Sequence, residues 1–359
     1  MDNLSRALLE SVVSLPTMSF HETAVAAFVR WYAASVGIAV KEDRAGNILL
    51  THKGGRGGVT FAAHMDHPGF EVVAAKGKRA TVALWGKVAP KTFAGARVRV
   101  HTDDGPIRGK ISKRILKKKH EGRFTFDLSA AGRVKRGDFG AFDVVPFKIS
   151  GDRISALACD NLISVAAILD LMTRFAKGKA RVNVQGLFTR GEEAGFLGAF
   201  AAMESGLIPK ASPLVVLECS SAKGGGVEIG AGPVIRAGDL ASTYDPEVEV
   251  WLSSVASALP ASQGFKFQRA LLQGGRCEAC VYVANGYRAG GVALPLGNYH
   301  NQGARGYAAE HVSAADYDNV LKLIAALAHR PIGKGLLRAK AEPIRKHYAG
   351  LKRKLLGTK

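Results

Sequence analysis

From Gly151 onward, apolar runs of strand length alternate with stretches of helical periodicity: "ISALAC" then "NLISVAAILDLMTRFA", "RVNVQGLFT" then "EEAGFLGAFAAMES", then "PLVVLE". A strand apolar at every position leaves no face for water, so it must be covered on both sides. The intervening helices supply that cover. The pattern therefore predicts a mixed α/β fold with a largely parallel sheet flanked by helices. Further strand-like runs, "ALLQGG", "EACVYVANG" and "GGVALPLGNYH", precede a last helix around "SAADYDNVLKLIAALAH".

Before Gly151 the texture differs. "NLSRALLESVVSLP" and "HETAVAAFVRWYAASVGI" space their apolar residues as helices do, and "AGNILLTHK" and "GVTFAAH" read as strands. Between Gly69 and Ser150, short alternating segments such as "ATVALW", "ARVRVHT" and "RFTFDLS" are broken by Gly, Pro and Asp clusters, the pattern of a small β-barrel or sandwich. The simplest division gives a catalytic α/β domain made of 1–68 and 151–330, an inserted β-rich domain over 69–150, and a basic helical tail over 331–359.

The 359 residues carry 50 Lys plus Arg against 30 Asp plus Glu, a net charge of +20, concentrated in 110–120 and 334–359. Neither segment interleaves aromatic residues as a single-strand-binding surface does, so both are expected to be solvated faces and no nucleic-acid partner is expected. No apolar run reaches the roughly 18 residues of a membrane span, and Met1 to Leu15 lacks the pattern of a secretory signal. A soluble cytoplasmic protein without a membrane partner is expected. Four cysteines, Cys159, Cys219, Cys277 and Cys280, are too few for a disulfide framework and are expected as reduced packing residues. No phosphate loop, dinucleotide fingerprint or nucleophile elbow is present.

Chemistry-bearing residues recur where strands end. His64 and Asp66 follow "VTFAA", Asp160 follows "ISALAC", Glu192 and Glu193 follow "VNVQGLFT", Glu218 closes "PLVVLE", and His300 follows "VALPLGNY". Open parallel sheets bind ligands at the carboxyl ends of their strands. Each residue has a simpler role available: Asp160 as a helix cap, Glu192 and Glu193 as first-turn acids, His64 as a hydrogen-bonded histidine. Together they share one explanation. Carboxylates crowded in a protein interior repel unless protonated or neutralised by a cation. A set of imidazoles and carboxylates without thiolate suits zinc, cobalt or manganese in a catalytic site, and two divalent ions bridged by one carboxylate, Asp160, use the set best.

The order "AHMDHPGF", β-rich insert, "ACDNLISVA", "TRGEEAGFLGA", "VLECSSA" and "NYHNQ" resembles the dinuclear-zinc exopeptidases, and among them the glutamyl and deblocking aminopeptidases, some of which form tetrahedral dodecamers. The resemblance implies a metallo-aminopeptidase acting on the N-terminal residues of peptides, with two divalent ions and a homo-oligomeric, dodecameric assembly. It implies that His64 and Glu218 hold one ion, Glu193 and His300 the other, and Asp160 both. By the same resemblance Glu192 is the general base, and Asp66 accepts the second ring N–H of His64. Glu218 stands where the aminopeptidase branch usually has Asp and where related carboxypeptidases and aminoacylases have Glu. Such an amidohydrolase is the first alternative, and a catalytically inactive polyanion-binding protein is the second.

Overall fold

The computed structural model describes residues 1–223 and 226–358. Residues 224, 225 and 359, which fall in the expected catalytic and tail segments, lie outside the described residues. The chain opens with helices α1 (Asn3–Val13) and α2 (Thr23–Ser35) and strands β1 (Ala39–Glu42), β2 (Ile48–Lys53) and β3 (Arg56–His64). Then come β4 (Gly69–Lys76), β5 (Arg79–Trp85), the short helix α3 (Pro90–Phe93), β6 (Arg97–Thr102), β7 (Gly105–Ile115), β8 (Thr125–Ala130) and β9 (Phe139–Phe142). These strands close into a barrel in the order β4-β5-β8-β7-β6-β9. Alternate residues fill it, among them Phe70 and Val72, Val98 and Val100, and Phe126 and Leu128, because successive side chains of a strand point to opposite faces.

After the barrel the chain forms β10 (Phe147–Ser150), β11 (Arg153–Ala156), α4 (Cys159–Lys177), β12 (Val182–Thr189), α5 (Leu197–Glu204), β13 (Leu214–Ser221) and β14 (Val234–Asp239). Helix α6 (Pro246–Ser257), β15 (Gln268–Leu272), α7 (Glu278–Ala284) and β16 (Ala289–Leu296) follow. A short hairpin of β17 (Gln302–Gly303) and β18 (Gly306–Tyr307) leads to β19 (Glu310–Ser313), α8 (Ala314–His329) and α9 (Leu336–Gly357).

The main sheet runs β1-β2-β12-β3-β13-β16-β14-β15, and its central run β12-β3-β13-β16 is parallel. Its two faces feed two cores. Val59, Phe61 and Ala63 of β3 and Val215 and Leu217 of β13 pack with α4, α6 and α8 on one side. Ala62, Leu214 and Val216 pack with α5 and α7 on the other. This double burial is why these strands are apolar at every position. All four cysteines are buried and free. No helix among the described residues is long and apolar enough to cross a membrane.

Three expectations are corrected. "EACVYVANG", read as a strand, is helix α7, since a run of seven apolar-rich residues has no periodicity long enough to separate the two states. Glu218 does not end its strand, for β13 continues to Ser221. Asp160 does not follow a strand of the main sheet: β11 pairs with β10 and β19 in a separate three-stranded sheet.

Candidate active site

Strand register brings the polar residues together. Thr189, the last residue of β12, lies opposite His64, the last of β3, so the loop carrying Glu192 and Glu193 begins beside the segment carrying Asp66. On the other side of β3, Val216 of β13 pairs with Ala62, so Glu218 and His64 each come two residues further along neighbouring strands. Even spacing also puts both on the face of the sheet that carries Ala62 and Val216. Asp160 enters where β11 gives way to α4, at a residue with φ −81° and ψ 106°, so regular helical geometry starts beyond Asn161. His300 lies in the turn after β16, at φ 54°.

Asp66 ties two of these segments together. Its fully buried carboxylate accepts from the Ser19 hydroxyl at 2.6 Å and from the backbone N–H groups of Glu192 at 2.9 Å and Glu193 at 3.0 Å. Toward His64, the Asp66 backbone oxygen is nearer to Nδ1, at 3.1 Å, than the carboxylate, at 3.4 Å. The carboxylate therefore chiefly fixes where the two glutamates start.

The inward-facing atoms fall into two groups around Asp160. His64 Nε2 lies 3.3 Å from Asp160 Oδ1 and 3.4 Å from Glu218 Oε1. His300 Nε2 lies 2.8 Å from Glu193 Oε1 and 3.7 Å from Asp160 Oδ2. Donor atoms of His64, Glu192 and Glu218 all fall within 4.8 Å of one another, as do those of Asp160, Glu193 and His300. Each histidine's other ring nitrogen faces a backbone oxygen, that of Asp66 for His64 and that of Lys87, from the segment between β5 and α3, for His300, both at 3.1 Å. A carbonyl can only accept, so Nδ1 keeps its proton, and Nε2 is the nitrogen left to offer a lone pair to a cation.

Four buried carboxyl groups and two buried imidazoles in this space cannot all hold their ordinary charges. Burial pushes the Glu192 carboxyl well up, helped by Glu193 and Glu218, and pushes Glu218 up to about 7, helped by Asp160. Burial works against the charge on Asp160 too, yet the neighbouring imidazoles of His300 and His64 hold its carboxyl well below the usual range. His64 and His300 are raised against the effect of burial, the first by Glu192 and Glu218, the second by Glu193. Asp160 Oδ1 and His300 Nε2 are buried without a hydrogen-bond partner among the described residues. Buried lone pairs left unpartnered in a nest of carboxylates fit divalent cations: the donor set has no thiolate, and one carboxylate faces both histidines. An open cleft of about 590 Å³, walled by the same carboxylates and by Tyr299, Arg236 and Leu272, gives access from one side.

All seven residues singled out in the sequence are brought into this cluster or against it. Three residues that sequence patterning missed support it. Glu310, on β19, accepts the backbone N–H of Asp160 at 2.9 Å and that of His300 at 2.7 Å with its two carboxylate oxygens. The ring of His67 spans the Asp160 carbonyl oxygen, at 2.5 Å, and Asn301 Oδ1, at 3.0 Å. Among the described residues Arg236, buried beside the cleft, donates only a long 3.4 Å bond to Ser220 Oγ, and its Nε has no partner. The signal for His67 was its place in "HMDHP"; nothing local marks Glu310 or Arg236. Glu310→Gln turns one acceptor into a donor facing an N–H, so it is expected to lower kcat by roughly 10- to 100-fold, the size found for outer-shell partners of metal sites, with KM nearly unchanged. Steady-state kinetics on the folded variant check this.

A family model described as M42 glutamyl aminopeptidase matches residues 46–323. Among solved structures, a TET aminopeptidase from a Thaumarchaeota archaeon of marine sediment superposes with a TM-score of 0.78 at 22% identity, over 93% of this chain and 98% of its own. An aminopeptidase from the archaeon Desulfurococcus kamchatkensis gives 0.75 at 23% identity, over 91% and 95%. The TET1 peptidase of Pyrococcus horikoshii, described as able to assemble into a tetrahedron or a large octahedral shell, gives 0.74 at 21% identity, over 90% and 99%. At these identities the neighbours establish a shared fold.

Proposed function

The chain belongs to the M42 glutamyl aminopeptidase family, and from that premise we propose that it is a dinuclear metal-dependent aminopeptidase in which His64, Glu218, Glu193 and His300 would hold two divalent ions and Asp160 would serve both. The observation that carries this reading is Asp160 itself. Its two oxygens face two buried histidines, each of which also faces a glutamate and has its second ring nitrogen tied to a backbone oxygen. When bound, two divalent cations, zinc by the character of the donors, would polarise the scissile carbonyl and lower the pKa of the attacking water.

The chain's own residues do the rest. Glu192, raised by burial, accepts the proton of the water through a carboxylate oxygen and delivers it to the leaving nitrogen, so one group serves as base and then as acid. Asp66 positions Glu192 and Glu193 by accepting their N–H groups, and Glu310 does the same for Asp160 and His300. Arg236 lines the cleft with no ion pair among the described residues and would hold a carboxylate of the substrate.

Residues 1–68 and 151–330 would form the catalytic unit, with 69–150 as an insert reaching it through Lys87. We propose further that the protein is cytoplasmic and assembles as a homo-oligomer, with a dodecamer the leading case by likeness to the tetrahedral peptidases. A panel of free-amine peptides and their N-acetylated counterparts, assayed with added zinc, manganese or cobalt, tests the activity. Hydrolysis of the free-amine set is expected. Cleavage of the acylated set alone would replace the reading with an aminoacylase or carboxypeptidase, the alternative that Glu218 keeps open.

A further inference from the structure

We propose that helix α9 is a docking element for an acidic amphipathic helix of another protein. The family match ends at residue 323, and α9, which begins at Leu336, lies beyond it. It is held to the body by Leu336, which packs on the main core, and it contacts α6. None of its residues is buried.

Six of the exposed apolar residues of α9 follow a heptad, and Leu356, exposed at 60%, lies beside it. Leu337, Ile344 and Leu351 recur every seven residues, and Ala341, Tyr348 and Leu355 interleave four residues after each. These are the spacings of a coiled-coil seam. The large members of the seam are open to solvent, Ile344 at 73% and Leu355 at 63% exposure. At 3.6 residues per turn the seam is about 80° wide, narrower than the apolar face of roughly 100° or more by which a helix lies on a core. Pro343 and Gly350 fall on neither seam position.

The flanks identify the occupant. The positions just after each residue of the first row are Arg338, Arg345 and Lys352. Those just before each residue of the second row are Lys340, His347 and Lys354. None of the six is acidic, and the single acid of the helix, Glu342, lies off the flanks and pairs with Arg345. Flanking residues set partner choice in coiled coils, and like charges there are repulsive. A second copy would oppose cation to cation in either orientation. A helix with apolar seam residues and Glu or Asp on its flanks would set an acid opposite each of these positions.

The probe is a fluorescent three-heptad peptide with Leu at both seam positions and Glu at both flanks, titrated against the full-length assembled protein. Saturable binding is expected, weakened at least ~10-fold by Ile344→Asp with Leu351→Asp and weakened by raising the salt to about 0.5 M. Arg345→Glu with Lys352→Glu is expected to lose the Glu-flanked peptide and to gain affinity for a Lys-flanked one, a reversal that misfolding cannot mimic. Aminopeptidase activity should be unchanged in both variants. Absence of binding would overturn the proposal. So would equal affinity for a Glu-rich peptide with Ser on its seam, seam-dependent uptake by phosphatidylserine vesicles in place of the peptide, or a change in the protein's own mass in the seam variant.

Discussion

Glu192→Gln is expected to retain both metal ions and to lower kcat by about 10² to 10⁴, the contribution of a positioned general base and acid. The amide keeps the shape and the backbone anchor, since the Glu192 N–H bonds to Asp66 whatever the side chain. What disappears is the ability to take a proton. The carboxyl is buried among Glu193 and Glu218, and both burial and those neighbours push it up, which makes it a stronger proton acceptor than an ordinary carboxylate. Binding should survive, so KM is expected to move far less than kcat. Metal content measured on the same sample separates a lost base from a lost ion. Full activity in this variant would remove Glu192 from the chemistry.

Asp160→Asn is expected to be at least as damaging, for a different reason. Oδ1 lies 3.3 Å from His64 Nε2 and Oδ2 lies 3.7 Å from His300 Nε2, so the two oxygens serve two sites. An asparagine keeps one acceptor oxygen and no charge, and it turns an NH2 toward one of the two positions. Neither ion can then share a carboxylate with the other. Activity should fall beyond the roughly 10- to 100-fold that an outer-shell change costs, and bound metal should drop from two equivalents toward one or none. Two retained equivalents with near-normal turnover would contradict the bridging role.

Much of this site was legible because it is built from local signals that share one cause. Strand-length apolar runs are each followed within a few residues by an acid or an imidazole, and the parallel register of β12, β3 and β13 converts those separate positions into one cluster. Where the cause was not local, sequence patterning failed. Asp160 was placed on the main sheet because "ISALAC" looks like any other buried strand. It pairs instead with the adjacent β10 and with β19, some 150 residues on, and pairing at that separation leaves no trace in either segment. Glu310 is invisible for the same reason, since its value lies wholly in the two N–H groups it meets across that pairing. Helix α7 was misread because "EACVYVA" is apolar enough for a strand, and its fate is decided by packing against β16 and β13.

The most direct measurement is anomalous diffraction at the absorption edge of the metal found in the purified protein. Two peaks per chain are expected, about 3.5 to 4 Å apart, one beside His64 and Glu218 and one beside His300 and Glu193, with the Asp160 carboxylate between them. A single peak, or metal bound away from these residues, would contradict the dinuclear site.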